Sequence, residues 1–179
     1  MQRRLFAGLA FAGLDAPSVL RAQPAEERLV FELKDGPVTI QFRSDVAPNH
    51  VERIKTLVRQ GFYDGTPFHR VIEGFMAQGG DPTGTGTGGS PLPNLRAEFT
   101  NRYRFLRGTC GMARTSDPNT ANSQFYIMFA PAPNLDNQYT IWGQVIAGMD
   151  AVDKIKRGSG SSGVVNGPDR LLHARLVNA

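Results

Sequence analysis

The amino-acid sequence predicts a mainly β fold, a closed eight-stranded antiparallel β-barrel capped by two α-helices. Three observations carry this expectation. Short segments of alternating apolar and polar residues recur along the chain. Turn formers are abundant, with 20 Gly and 12 Pro among 179 residues. Only two stretches show helical spacing. No repeat or internal linker divides the chain, and its length suits one domain with a real core. About eight strands and two helices without free sheet edges describe a barrel.

The first 22 residues stand apart. Arg3 and Arg4 precede an apolar run, Leu5–Leu14, that is too short to span a bilayer, and Asp15 ends it. Ala22 then offers a small residue for a peptidase. Residues 1–22 read as a signal peptide and 26–179 as the folded domain. The expected location is a bacterial periplasm, reached by the Sec or twin-arginine route; retention of the leader would mean a cytoplasmic protein. Arg3, Arg4 and Arg21 against Asp15 account for two of the four net positive charges. The remainder contains no basic run of five or more, so no nucleic-acid partner is expected. No other segment is apolar enough for stable membrane insertion.

In order along the chain, Leu29, Phe31 and Leu33 alternate with Val30, Glu32 and Lys34, and Val38, Ile40 and Phe42 alternate with Thr39, Gln41 and Arg43. With Asp35-Gly36 between them as the turn, these two runs predict a β-hairpin. Pro48–Gln60 changes period: Val51, Ile54, Leu57 and Val58 form one helical face, Pro48 suits the first turn and Gly61 the stop. His50 reads as an exposed helix residue without a role. Leu95–Phe99, Thr109–Arg114, Ser123–Phe129 and Tyr139–Ile146 read as further strands, Met149–Ile155 as a short second helix, and Leu172, Ala174 and Leu176 as a last strand. Gly158–Gly163 reads as a flexible loop. Cys110, the sole cysteine, reads as a small core residue rather than a nucleophile. The three histidines and one cysteine are scattered, so no metal or cofactor is expected.

The chemistry concentrates in Thr66–Asp81, TPFHRVIEGFMAQGGD. One arginine, Arg70, precedes an apolar pair, Phe75 and Met76, and an amide, Gln78. Nothing there resembles a metal site, a carboxylate pair or an activated nucleophile. Such a site works by shape, apolar contact and hydrogen bonding from one fixed cation. The glycine-rich run Gly79–Gly89 lacks the Gly-Lys-Ser/Thr ending of a phosphate cradle and reads as a surface loop or groove wall.

FHRVIEGFMAQGGD at 68–81 closely resembles the signature of the cyclophilin-type peptidyl-prolyl cis-trans isomerases. Two further blocks resemble the family in order and spacing: Ala121–Ile127 (ANSQFYI), and Leu135-Asp136 with Trp142–Val145 (WGQV) followed by Gly148-Met-Asp150. The resemblance runs from about residue 28 to 178. It implies the barrel with a helix at each end, and rotation about the peptide bond before proline in proline-containing segments of unfolded or folding proteins; the protein is expected to be a monomer. Arg70 matches the family's arginine, Phe75, Met76 and Leu135 its proline pocket, and Gln78 the glutamine that braces the arginine. Gly86, Ala113, Arg114 and Gln124 match positions along the peptide groove; at Arg114 the family commonly has an asparagine acting through its backbone. Tyr126 stands where phenylalanine is usual and Tyr139 where eukaryotic members have histidine. Asn134 stands where many of them have the tryptophan that binds cyclosporin, which implies weak cyclosporin binding. His69 is expected on the opposite face from Arg70 as a structural hydrogen-bonding residue. The alternative function is a low-turnover chaperone of the same fold that holds proline segments.

N-terminal sequencing of the mature protein tests the leader. A start just after Ala22 is expected, and an intact Met1 in cytosolic extract is the contrary result.

Overall fold

Residues 26–179 are described in a computed structural model; the leader expected over residues 1–22 lies outside the described residues. The elements in chain order are β1 (Glu27–Leu33), β2 (Gly36–Phe42), α1 (Pro48–Arg59), β3 (Arg70–Ile72), β4 (Met76–Gly79), β5 (Thr109–Met112), β6 (Phe125–Met128), a 3₁₀ turn (Pro133–Leu135), β7 (Ile141–Ala147), α2 (Met149–Asp153) and β8 (His173–Asn178). All eight strands join one antiparallel sheet in the order β3-β4-β6-β5-β7-β2-β1-β8.

The sheet is an open half-barrel rather than the closed barrel expected. Its end strands, β3 and β8, share no ladder. Only the residues leading into them meet, through Phe68 N–H to Asp169 O (2.9 Å) and Leu171 N–H to Thr66 O (2.9 Å). The reason lies in β3, which is three residues long and already occupied on its outer side. The Gly158–Gly163 loop docks there: Val71 N–H donates to Gly163 O at 2.7 Å, and Gly158 N–H to Val71 O at 2.9 Å. The flexible loop expected from composition is therefore an edge cover, which is one way a sheet protects an end strand.

The hairpin forms with Phe31 opposite Val38 and Leu29 opposite Ile40. Its two loop residues are Lys34 and Asp35, because Gly36 already pairs with Leu33 and starts β2 with φ near 128°. Helix α1 buries the four expected apolar residues and ends at Gly61 in the left-handed region (φ 66°). It packs against β7 and β8, and α2 packs against β2. Trp142, Phe31, Phe68, Phe125 and Tyr63 centre the main core, where Phe125 meets Phe31 at 5.2 Å and Tyr63 at 5.6 Å between ring centroids. Cys110 is in that core, and burial pushes its thiol up, as expected for an inert cysteine.

Two expectations fail together, and for one reason. Leu95–Phe99 is not a strand; it makes a single bridge, Leu95 to Ala121. His50 is not exposed but fully buried. Helix α1 has no side-chain cap of its own, since Ala47 precedes it and its first turn holds no acid. Glu98 supplies the cap from outside the helix. Its carboxylate accepts the backbone N–H groups of Asn49 (3.1 Å) and His50 (3.0 Å), the Asn49 amide (2.8 Å) and the His50 ring Nδ1 (2.6 Å). Drawing Glu98 onto the helix N-terminus pulls its segment out of the sheet and turns His50 inward. A carboxylate there satisfies orphan donors and meets the positive end of the helix dipole.

Removing that cap takes the acceptor from four donors, so Glu98→Ala is expected to lower the unfolding free energy by about 2–3 kcal/mol. Burial pushes the His50 imidazole below its ordinary 6.5, against the pull of Glu98. Burial works against ionisation of Glu98, but the hydrogen bonds from His50 and the backbone outweigh it and hold the carboxyl below its ordinary 4.5. Both folded values are depressed, so both groups stabilise the fold at neutral pH. The His50 share is lost as pH falls below 6.5, and the Glu98 share as it falls below 4.5. Thermal melts from pH 7.5 to 3.5 check this; Glu98→Gln is expected to flatten the part below pH 4.5, and an unchanged slope there is the contrary result.

Candidate active site

Period-two alternation gives the sheet two faces. Val71, Ala77, Ile127 and Cys110 point into the main core. Their neighbours point the other way: Met76, Tyr126 and Met128 join Phe105, Leu135 and Ile141 in a second apolar cluster, with Phe75, Ala113 and Tyr139 packed against it. A cavity of about 400 Å³ opens over this second face. Its lining contains Arg70, Phe75, Met76, Gln78, Gly86, Ala113, Arg114, Tyr126, Leu135 and Tyr139. Gln124 lines an adjoining cavity of about 500 Å³, which shares Gln78, Gly86, Ala113 and Arg114 with the first. All eleven residues singled out in the sequence thus come together around one groove.

A chain of hydrogen bonds crosses that groove. Arg70 donates from Nε to Ser162 O (3.0 Å) and from Nη1 to Gln78 Oε1 (3.2 Å). Gln78 donates from Nε2 to Gln124 Oε1 (2.9 Å), and Gln124 in turn to the carbonyls of Gly86 (3.0 Å) and Gly88 (2.8 Å). Two of the five guanidinium N–H donors are used in holding Arg70 still, and the rest remain for a ligand.

Tyr126 forms the apolar wall, stacked on Phe105 (5.9 Å between centroids) and edge-on to Tyr139 (5.9 Å). Its hydroxyl is buried and has no hydrogen-bond partner among the described residues, and burial pushes its pKa well up. The end of its ring lies over the cross-strand residue Gly111, where any Cβ would overlap the Tyr126 ring carbon and oxygen. A tyrosine at 126 therefore requires glycine at 111. Neither spacing nor composition signals that pairing.

The expectation for His69 fails, and Asp81 was missed. His69 lines the cavity beside Arg70 instead of facing away, and neither of its ring nitrogens makes a hydrogen bond among the described residues. Alternation does not apply to it, because β3 begins only at Arg70. Burial pushes its imidazole down, with Asp81 opposing, so it is neutral at pH 7. Asp81 is fully buried beneath the glycine-rich loop. It accepts from Thr83 N–H and hydroxyl (2.8 and 2.7 Å), Gly86 N–H (2.7 Å) and Gly88 N–H (3.0 Å). Burial disfavours its charge, but the Thr83 hydroxyl and the three amides win and hold the carboxyl at about 2. The loop closes so tightly that a side chain at Gly88 would strike the carboxylate, and Gly86 sits at φ 85°. These glycines shape a groove wall, as the sequence suggested.

A family model described as cyclophilin type peptidyl-prolyl cis-trans isomerase/CLD matches residues 28–176. A probable peptidyl-prolyl cis-trans isomerase of Brucella abortus is 48% identical over 188 aligned positions, covering 97% of this chain and 95% of the relative. A peptidyl-prolyl cis-trans isomerase-like 1 of Gibberella zeae is 40% identical over 155, covering 83% and 94%. Among solved structures, a cyclophilin-type isomerase of Cryptosporidium parvum, crystallised in the presence of the dipeptide Ala-Pro, superposes with a TM-score of 0.79 at 28% identity, covering 85% of this chain and 99% of that one. A cyclophilin of Hirschia baltica superposes at 0.74 and 29% identity, covering 84% and 73%.

Asp81→Ala removes the acceptor that gathers the loop. Amide hydrogen exchange at Gly86 and Gly88 is expected to accelerate at least tenfold, with a loss of about 2–3 kcal/mol in stability. Unchanged protection at both amides is the contrary result.

Proposed function

This chain belongs to the cyclophilin-type peptidyl-prolyl cis-trans isomerases, and we propose that it accelerates X–Pro rotation by holding the proline ring in the apolar cavity while Arg70 stabilises the twisted amide. The uncatalysed barrier is about 18–20 kcal/mol, because rotation breaks amide resonance. The cis and trans ends differ by only about 0.5–1 kcal/mol. No bond is made or broken and no equilibrium needs shifting. Catalysis requires only interactions that favour the twisted state over both planar ones.

In the twisted amide the proline nitrogen regains a lone pair and the carbonyl oxygen changes direction. A guanidinium donates to either atom without proton transfer, being charged at every relevant pH. The observation that carries this reading is the clamp on Arg70: Gln78 and the Ser162 carbonyl hold it at the rim of the apolar cavity and leave donors over. Fixed donors need no reorganisation when the amide twists. Phe75, Met76, Leu135 and Tyr126 give the ring an apolar seat, and Gln78 keeps the cation beside it. Ala113, Gly86 and Gln124 continue the groove that takes the flanking peptide, and Tyr139 completes the wall. The Ala-Pro dipeptide present with the Cryptosporidium relative supports a proline-containing substrate.

The substrates are proline-containing segments of proteins folding after export, and the place of action is a bacterial periplasm. The basic, apolar leader over residues 1–22 supports this.

A cis-to-trans assay on a short Ala-Pro peptide tests the mechanism. Arg70→Ala is expected to lower kcat/KM by on the order of 100-fold while peptide binding changes little, the worth of one or two charge-assisted hydrogen bonds made in the twisted state. Arg70→Lys is expected to restore little, because an ammonium lacks the planar fork. Turnover within twofold of wild type in Arg70→Ala sinks the mechanism; binding without wild-type turnover favours the low-turnover chaperone.

A further inference from the structure

The guanidinium of Arg114 stands at the junction of the two cavities and lines both. Every partner that holds it is neutral. Nε and Nη2 donate to Gln138 O at 3.3 and 2.7 Å, and Nη1 to Thr115 O at 2.8 Å and Ser116 O at 3.4 Å. Its plane covers the Tyr139 ring at 4.3 Å from the centroid. No carboxylate lies within ion-pair distance of it among the described residues, whereas Arg59, Arg102, Arg104, Arg107, Arg157 and Arg175 each pair with one.

Neither cavity has an acidic residue in its lining. The acid beneath the groove wall, Asp81, is buried and spends its lone pairs on loop donors. The other guanidinium in the lining, Arg70, also bonds only neutral acceptors. The charged side chains that line the groove among the described residues are thus all positive, and the cation at its middle is held in place before any substrate arrives. Preorganised charge spares a ligand the cost of ordering it.

From this we infer that Arg114 sets a charge preference: the enzyme favours proline-containing peptides with an acidic side chain within two or three residues of the proline. This rests on the proposal that the first cavity seats the proline ring. A chain extended from that cavity toward the second passes Arg114, and a carboxylate there finds a fixed partner. A lysine in the same place meets an unneutralised like charge.

The test uses two sets of peptides around Ala-Pro, with Glu, Gln or Lys placed two residues before or two residues after the proline. In at least one set, kcat/KM is expected to fall in the order Glu, Gln, Lys, with Glu about fivefold over Gln at 50 mM salt, the upper range for an exposed pair. The ratio is expected to shrink at 0.5 M salt, to approach one in Arg114→Gln, and to persist in part in Arg114→Lys. Because each protein is judged by its own Glu-to-Gln ratio, a general weakening of the groove does not imitate the effect. Equal rates for Glu and Gln in both sets, or a preference that survives Arg114→Gln, overturns the inference. If no peptide is turned over, the isomerase reading fails, and dissociation constants from NMR titration of the same peptides decide the charge preference by the same ratios.

Discussion

Arg70 lies opposite Gln78, Gln78 opposite Tyr126, and Tyr126 opposite Gly111, one residue from each of four neighbouring strands. This row across β3, β4, β6 and β5 is the groove. One position along, Val71, Ala77, Ile127 and Cys110 form the parallel row that faces the main core. Side chains alternate with a period of two, so a slip of one residue in any pair would exchange the rows, bury Arg70 and Gln78, and expose the core. The hydrophobic effect that fixes the register therefore aligns the arginine with its brace. Site geometry is inherited from core packing.

The row also explains a departure from the usual residues. A tyrosine at 126 needs space beyond the ring, and the strand opposite supplies it by having no side chain at Gly111. Phe105 and Tyr139 close on the other sides, leaving the hydroxyl buried and without a partner among the described residues. A buried hydroxyl without a hydrogen bond is costly, yet the ring's contact with the second cluster keeps it in place.

Carboxylates organise what the strands do not reach. Glu98 gathers the N-terminus of α1, and Asp81 gathers the glycine-rich loop. In both cases a side-chain donor, the Thr83 hydroxyl or the His50 ring, together with backbone N–H groups outweighs the desolvation of the charge, so each acid stays ionised while half or wholly buried. Spending these acids on loops and helix ends leaves the groove with guanidinium groups that have no counter-charge among the described residues. That arrangement suits a reaction that moves no protons but benefits from fixed positive donors.

Much of this was legible in the amino-acid sequence. Period-two runs such as Leu29–Leu33 and Val38–Phe42, and the helical face of α1, follow from local burial preferences that any fold must satisfy. The residues of 68–81 announced a fixed cation beside an apolar pair, because those residue types admit little other chemistry, while the roles of seat and brace came from the family resemblance. What stayed hidden depends on contacts between segments far apart in sequence. Glu98 caps a helix almost fifty residues away, which removed a strand expected at Leu95–Phe99 and buried His50. The docking of the 158–163 loop on β3 left the barrel open. His69 turned into the cavity because the strand begins one residue after it. The sequence by itself determined which residue types do the work and which faces must be buried, since both are matters of local chemistry. Only the tertiary structure decided which partners neutralise which charges, and hence that Arg114 stands in the groove without one among the described residues.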